Sequence, residues 1–181
     1  MGIKKVFSGF RAFKNAVQPY TANSVTQVTF ENDSTAPLGF DLVDEYNTGT
    51  STFSPLRDGV YTIQASVAFT PTQPITSVGF NIEVIIVLNN TIVVADDNEI
   101  VPATFFGSGA ASVSVDTSTI LQLNAGDTVS VFFISTLSGT ISQLPAATHF
   151  EAVRNPSSLV NNISMGSIST DQVLFNQQNI E

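Results

Sequence analysis

The chain has 181 residues, 43% of them hydrophobic, with no Cys, no Trp, 14 Phe and a formal net charge of −9. A domain of this size buries roughly 70% of its unfolded surface and folds without a staple, and the lack of Cys excludes thiol catalysis, disulfide frameworks and thiolate metal sites. Only 12% of residues are charged, about half the usual share, so Ser, Thr, Asn and Gln must build the polar surface, and abundant Val, Ile and Thr give a β-sheet composition.

In chain order, the N-terminal segment comes first. It carries Lys4, Lys5, Arg11 and Lys14, four of the six basic residues, whereas every acid follows residue 30. The surface after this segment repels phosphate backbones, which argues against nucleic acid and favours cations or basic protein patches. Ser8, Gly9 and Arg11 interrupt what would be the apolar core of a secretory signal, and Val6 stands where a myristoylation signal wants Ser or Thr. No apolar run approaches the roughly 18 residues of a membrane span. The expectation is a mature chain that begins near Met1, in the cytoplasm or on a cell or spore surface reached without a signal peptide.

Periodicity of two marks the strands that follow. Across residues 60–69, Tyr61, Ile63, Ala65, Val67 and Phe69 alternate with Thr62, Gln64 and Ser66, and across 111–123 Val113, Val115, Leu121 and Leu123 oppose Ser112, Ser114, Asp116 and Gln122. Residues 80–88 and 129–137 are apolar on both faces, as a central strand or one covered by another subunit would be. Turn chemistry falls between them at Asp58-Gly59, Asn89-Asn90, Gly107-Ser108-Gly109, Asn124-Ala125-Gly126-Asp127 and Ser138-Gly139. About eight to ten strands with no helical period make an all-β antiparallel sandwich or jelly roll. At Asn155-Pro156 the alternation stops, which divides a domain over 1–154 from an extension over 155–181. The extension keeps Val160, Ile163, Ile168, Val173, Leu174 and Phe175, so it is expected to dock on the domain or on the base of an assembly.

The order of residues resembles the globular C1q domain of the C1q and tumour necrosis factor superfamily. Carrying the resemblance are Glu45-Tyr46-Asn47-Thr48-Gly49, Phe53, Pro55 and Asp58-Gly59-Val60-Tyr61, with Phe7-Ser8-Gly9-Phe10-Arg11 as a first strand and Val28-Thr29-Phe30-Glu31-Asn32 as a second. Leu121 to Val129 resembles the stretch before the family's penultimate strand, and Thr148-His149-Phe150 resembles part of its last strand. Ala152, where the family commonly has Gly, and the missing collagen-like stalk are departures. The resemblance implies a ten-stranded jelly roll in a homotrimer with both chain ends near one base. Ile85, Val87, Phe132 and Ile134, on the second faces of apolar strands, are the expected interface residues.

The densest acidic run, Asp96-Asp97-Asn98-Glu99, has the oxygen density that Ca²⁺ takes, and the alternative is a solvated acidic loop. Calcium-binding members of the family hold an acidic pair in an apical loop, and Asp96 and Asp97 resemble it; no cofactor is otherwise required. The single histidine, His149, falls in a final strand with no nucleophile-elbow motif beside it, which reads as a strand residue rather than a general base. The many Phe residues supply the core of a chain without Trp. Asp58 and Asp127 read as turn-formers, and three Asn-x-Ser/Thr triplets (at Asn32, Asn89 and Asn162) carry little weight.

Together these features describe a non-enzymatic, homotrimeric C1q-like recognition module, with protein or surface partners. The resemblance extends this to immunoglobulin constant regions, although family heads that bind antibody use basic residues scarce here. The alternative is a structural component of a microbial spore or cell surface layer.

Overall fold

The computed structural model describes residues 7–72, 79–106 and 112–156. Within them the chain folds into two packed antiparallel sheets. The first contains β1 (Gly9–Phe13), β2 (Gln18–Tyr20), β4 (Phe40–Asp41), β7 (Gly59–Pro71), β10 (Val113–Leu123), β12 (Gly139–Ile141) and β13 (His149–Arg154). The second contains β3 (Thr26–Gln27), β5 (Tyr46–Asn47), β6 (Thr52–Phe53), β8 (Gly79–Leu88), β9 (Ile92–Pro102) and β11 (Val129–Ser135). In the first sheet the order is β2-β12-β7-β13-β1-β4 with β10 on the other edge of β7; in the second it is β5-β6-β11-β8-β9 with β3 on β11. The chain thus crosses repeatedly between the two sheets and pairs strands distant in sequence, as in a jelly roll.

The expected ten strands appear as 13 segments among the described residues, six of them only two or three residues long. These short pieces, such as β5 and β6, are interrupted by tight bends. Ser51 has φ of 51°, and its buried hydroxyl accepts from Phe30 N at 3.0 Å, which fastens the bend to the next layer. The second expected strand, residues 28–32, keeps its ladder only at intervals: Val28 N donates to Val131 O, and Phe13 exchanges both bonds with Asn32.

Alternation puts one face of each sheet inside. Tyr61, Ile63, Ala65, Val67 and Phe69 of β7 meet Ile82, Val84 and Ile86 of β8 and Val129, Val131 and Phe133 of β11 in one core, all buried. Without Trp the large volumes come from Phe and Tyr: Phe10 stacks on Tyr46 with centroids 4.7 Å apart and meets the edge of Phe150 at 5.1 Å. Such pairs add about 0.5–1.5 kcal/mol each beyond their area burial. Strands β8 and β11 sit centrally in the second sheet, each with one apolar face in the core and the other turned outward. Gly107-Ser108-Gly109 and the extension from residue 157 onward lie outside the described residues.

Candidate functional site

The acidic run is not a loop. Asp96-Asp97-Asn98-Glu99 lies inside β9, where Asp96 opposes Ile85, Asp97 opposes Val84 and Glu99 opposes Ile82. Successive side chains of a strand point to opposite faces, so Asp96 parts from Asp97 and Glu99. Among the described residues no group of three His, Cys, Asp or Glu side chains is arranged to hold a metal ion. The expectation of a loop rests on the resemblance to the family's apical acidic pair. What the run lacks is the apolar alternation that identified the other strands, because β9 is an edge strand with both faces partly in water.

Of the four expected interface residues, all share one outer face. Phe132 opposes Ile85 directly, Val87 opposes Ser130 and Ile134 opposes Glu83, so the side chains form one patch across β8 and β11. Ile85 and Val87 are already only 8% exposed within a single chain. The outer face of the first sheet differs. Ile120 on β10 is 67% exposed, and Val153 on β13 and Phe40 on β4 are exposed on the same face. Phe40, Thr62, Gln64 and Val153 line a largely apolar groove of about 230 Å³ on this face.

Next to the groove lies a charged row that sequence reading did not assemble. Register pairs Arg11 of β1 with Glu151 of β13 and with Phe40 of β4, and the Arg11 Nε sits 3.0 Å from Glu151 Oε2. The pair is an ion pair in distance, although Nε–H has no aligned acceptor. One row further along, Asp116, Ser66 and His149 follow one another across β10, β7 and β13. These are the residue types of a hydrolytic triad, but the order is wrong for one. Ser66 sits between the other two, is buried, and donates its proton to Ala147 O at 3.1 Å instead of to the imidazole. His149 Nδ1 is buried without a hydrogen-bond partner, and burial together with the Arg11 charge holds its pKa below the ordinary 6.5. Nothing here polarises a nucleophile.

A second concavity of about 580 Å³ is open and polar, with Asp33, Asp44, Tyr46, Thr50 and Thr128 among its walls. Burial and then the charges of Asp41 and Asp44 raise the Asp33 pKa. Asp41 itself is spent on local structure, accepting from Tyr46 N at 2.8 Å and Val43 N at 3.3 Å. The expected turn-formers behave as read: Asp58 accepts from Ala125 N, and Asp127 from Asn124 N and Asn89 Nδ2, each near 3 Å.

No model of a known protein family matches the chain, and no curated protein matches its sequence. Solved structures do. Murine APRIL at pH 5.0 superposes with a TM-score of 0.59 at 14% identity, covering 82% of this chain and 99% of that one. The Eiger TNF of S. frugiperda superposes with a TM-score of 0.59 at 13% identity, covering 85% of this chain and 96% of that one. At such identity the likeness speaks for architecture alone, and the architecture shared with both is an all-β antiparallel jelly-roll sandwich.

Proposed function

We propose that the chain is a non-enzymatic recognition module that assembles as a homotrimer and presents three identical surfaces to a macromolecular partner. The observation that carries the assembly is the exposed apolar outer face of the first sheet, where Phe40 and Val153 line the groove and Ile120 stands exposed on the same face. An apolar patch beside a polar rim is the composition of a protein contact. Threefold repetition of a weak site raises avidity against a repetitive target by a hundredfold or more. The acidic chain and its open carboxylate-lined cleft suit a partner with a basic surface.

The face of Ile85, Val87, Phe132 and Ile134 is the second reading, favoured by the way register gathers all four. The first sheet is preferred because its apolar residues remain in water in the isolated chain. Size-exclusion chromatography with light scattering on the wild type, Ile120→Asp and Ile134→Asp separates the two. The wild type should be a trimer and Ile120→Asp a folded monomer, since a carboxylate at so exposed a position leaves the single chain intact. A trimer surviving Ile120→Asp but lost in Ile134→Asp would move the contact to the second sheet. A wild-type monomer at micromolar concentration would overturn the assembly.

A further inference from the structure

The two ends of the described domain leave from one place. Arg154 N donates to Ser8 O at 3.1 Å, and Asn155 N donates to Val60 O at 2.8 Å, so the chain exits at Pro156 beside its own first strand. Hydrogen bonds tie a set of exposed apolar residues to that point. Leu42 N bonds to Gly9 O. Leu56 N bonds to Glu45 Oε1, whose other oxygen accepts from Ser8 Oγ at 2.6 Å. Phe7 precedes Ser8, and Val60 receives the Asn155 bond. These four side chains are 42–71% exposed, a concentration of apolar surface at one end of the molecule.

Residues 157–181, which follow directly, contain Leu159, Val160, Ile163, Val173, Leu174 and Phe175 and no Lys or Arg; their only charges are Asp171 and Glu181. Such a segment departs from the low hydrophobicity and high charge of chains that stay solvated. Its length allows a reach of up to about 80 Å, far more than needed to double back. Apolar content is therefore complementary between the segment and the surface at its root.

We propose that residues 157–181 fold back on their own domain and cover the surface formed by Phe7, Leu42, Leu56 and Val60. This goes beyond the recognition reading and does not depend on the trimer. Two variants test it in the full chain. Chymotryptic cleavage after Leu174 and Phe175, followed by mass spectrometry, should be at least tenfold faster in Leu42→Asp/Leu56→Asp than in the wild type, while the melting temperatures agree. Because the chain has no Cys, an oxidised Leu56→Cys/Phe175→Cys variant should form an intrachain disulfide. Thr140→Cys/Phe175→Cys should not, since Thr140 pairs with Thr70 at the far end of β7. Equal cleavage rates, or equal cross-linking at both positions, would overturn the proposal. Cross-links only between chains would assign the surface to another copy's segment instead. Light scattering on the same samples reads the trimer separately, so the two ideas fail independently.

Discussion

Lys14 and His149 sit one residue apart across the same ladder, and the pleat sends them to opposite sides. Phe13 pairs with His149, and Lys14 N donates to Thr148 O. On the inner side Lys14 is fully buried, and its Nζ finds three acceptors: Thr29 Oγ1 at 2.7 Å, Glu31 Oε1 at 2.8 Å and Thr29 O at 3.0 Å. On the outer side the His149 Nδ1 is buried with none. A buried ammonium must be fully satisfied to remain charged, whereas an imidazole evades the cost by remaining neutral. Burial pushes the Lys14 pKa down while Glu31 pulls it back; burial and Arg11 both push His149 down. One site is thus a completed structural knot, and the other a group whose charge the fold opposes.

The knot should break hardest. Glu31→Ala leaves a buried ammonium with hydroxyl and carbonyl acceptors only, and removing one partner of such a pair costs about 3–5 kcal/mol. The Lys14→Met/Glu31→Ala pair replaces both charges with apolar volume, so it should lose less than the single variant does. Urea unfolding at pH 7 with unchanged m-values measures both. A double variant no more stable than Glu31→Ala would mean that the site is held by packing and not by charge.

The outer side predicts a smaller, pH-dependent effect. His149 has a lowered pKa in the fold, so below 6.5 the unfolded chain takes up the proton that the native state refuses. Stability is complete above 6.5 and falls as pH drops through the window beneath it, with a slope of at most about 1.4 kcal/mol per pH unit for one proton. The facing charges are Arg11, which opposes protonation, and Glu151 and Asp116, which favour it. His149→Gln should flatten the melting temperature between pH 7 and 5. Glu31 acts lower and separately. Burial alone would raise its pKa, but bonds from Lys14, Thr29 and Asn15 hold it below the ordinary 4.5, so its contribution is lost as pH falls through the carboxylate range. A wild-type profile identical to that of His149→Gln would show that the imidazole titrates as if free.

The legibility of these two sites in the sequence differs for a physical reason. His149 was placed on a final strand, because Phe150 and the apolar alternation around it are local signals. Lys14 read as one of four cations on a solvated basic segment, yet its acceptors come from residues 29 and 31, brought over by the Phe13–Asn32 bridge. No pattern within the segment announces that bridge. The sheet architecture was readable for the same reason that His149 was: long strands such as β7, β8, β10 and β11 carry a period of two. Groove and ion pair were not, since Phe40, Arg11, Glu151 and Gln64 meet only through the register of four strands distant in sequence.

The same argument from the pleat sets the smallest expected effect, the response to calcium. In a loop, Asp96, Asp97 and Glu99 could wrap one ion; in β9 they cannot, because Asp96 faces away from the other two and Asn98 lies between Asp97 and Glu99 along the chain. On one face Asp97 and Glu99 lie two residues apart, roughly 7 Å along the strand, and provide two carboxylates where Ca²⁺ takes six to eight oxygens. Melting curves with excess calcium, with magnesium and with chelator should therefore coincide to within about 1 °C, because stabilisation by a ligand scales with the logarithm of its excess over the dissociation constant and a two-carboxylate site is weak. Asp97→Asn/Glu99→Gln should leave the curves unchanged. A calcium-specific rise that this variant abolishes would require further oxygens from outside the chain, and would place β9 of several copies around one ion.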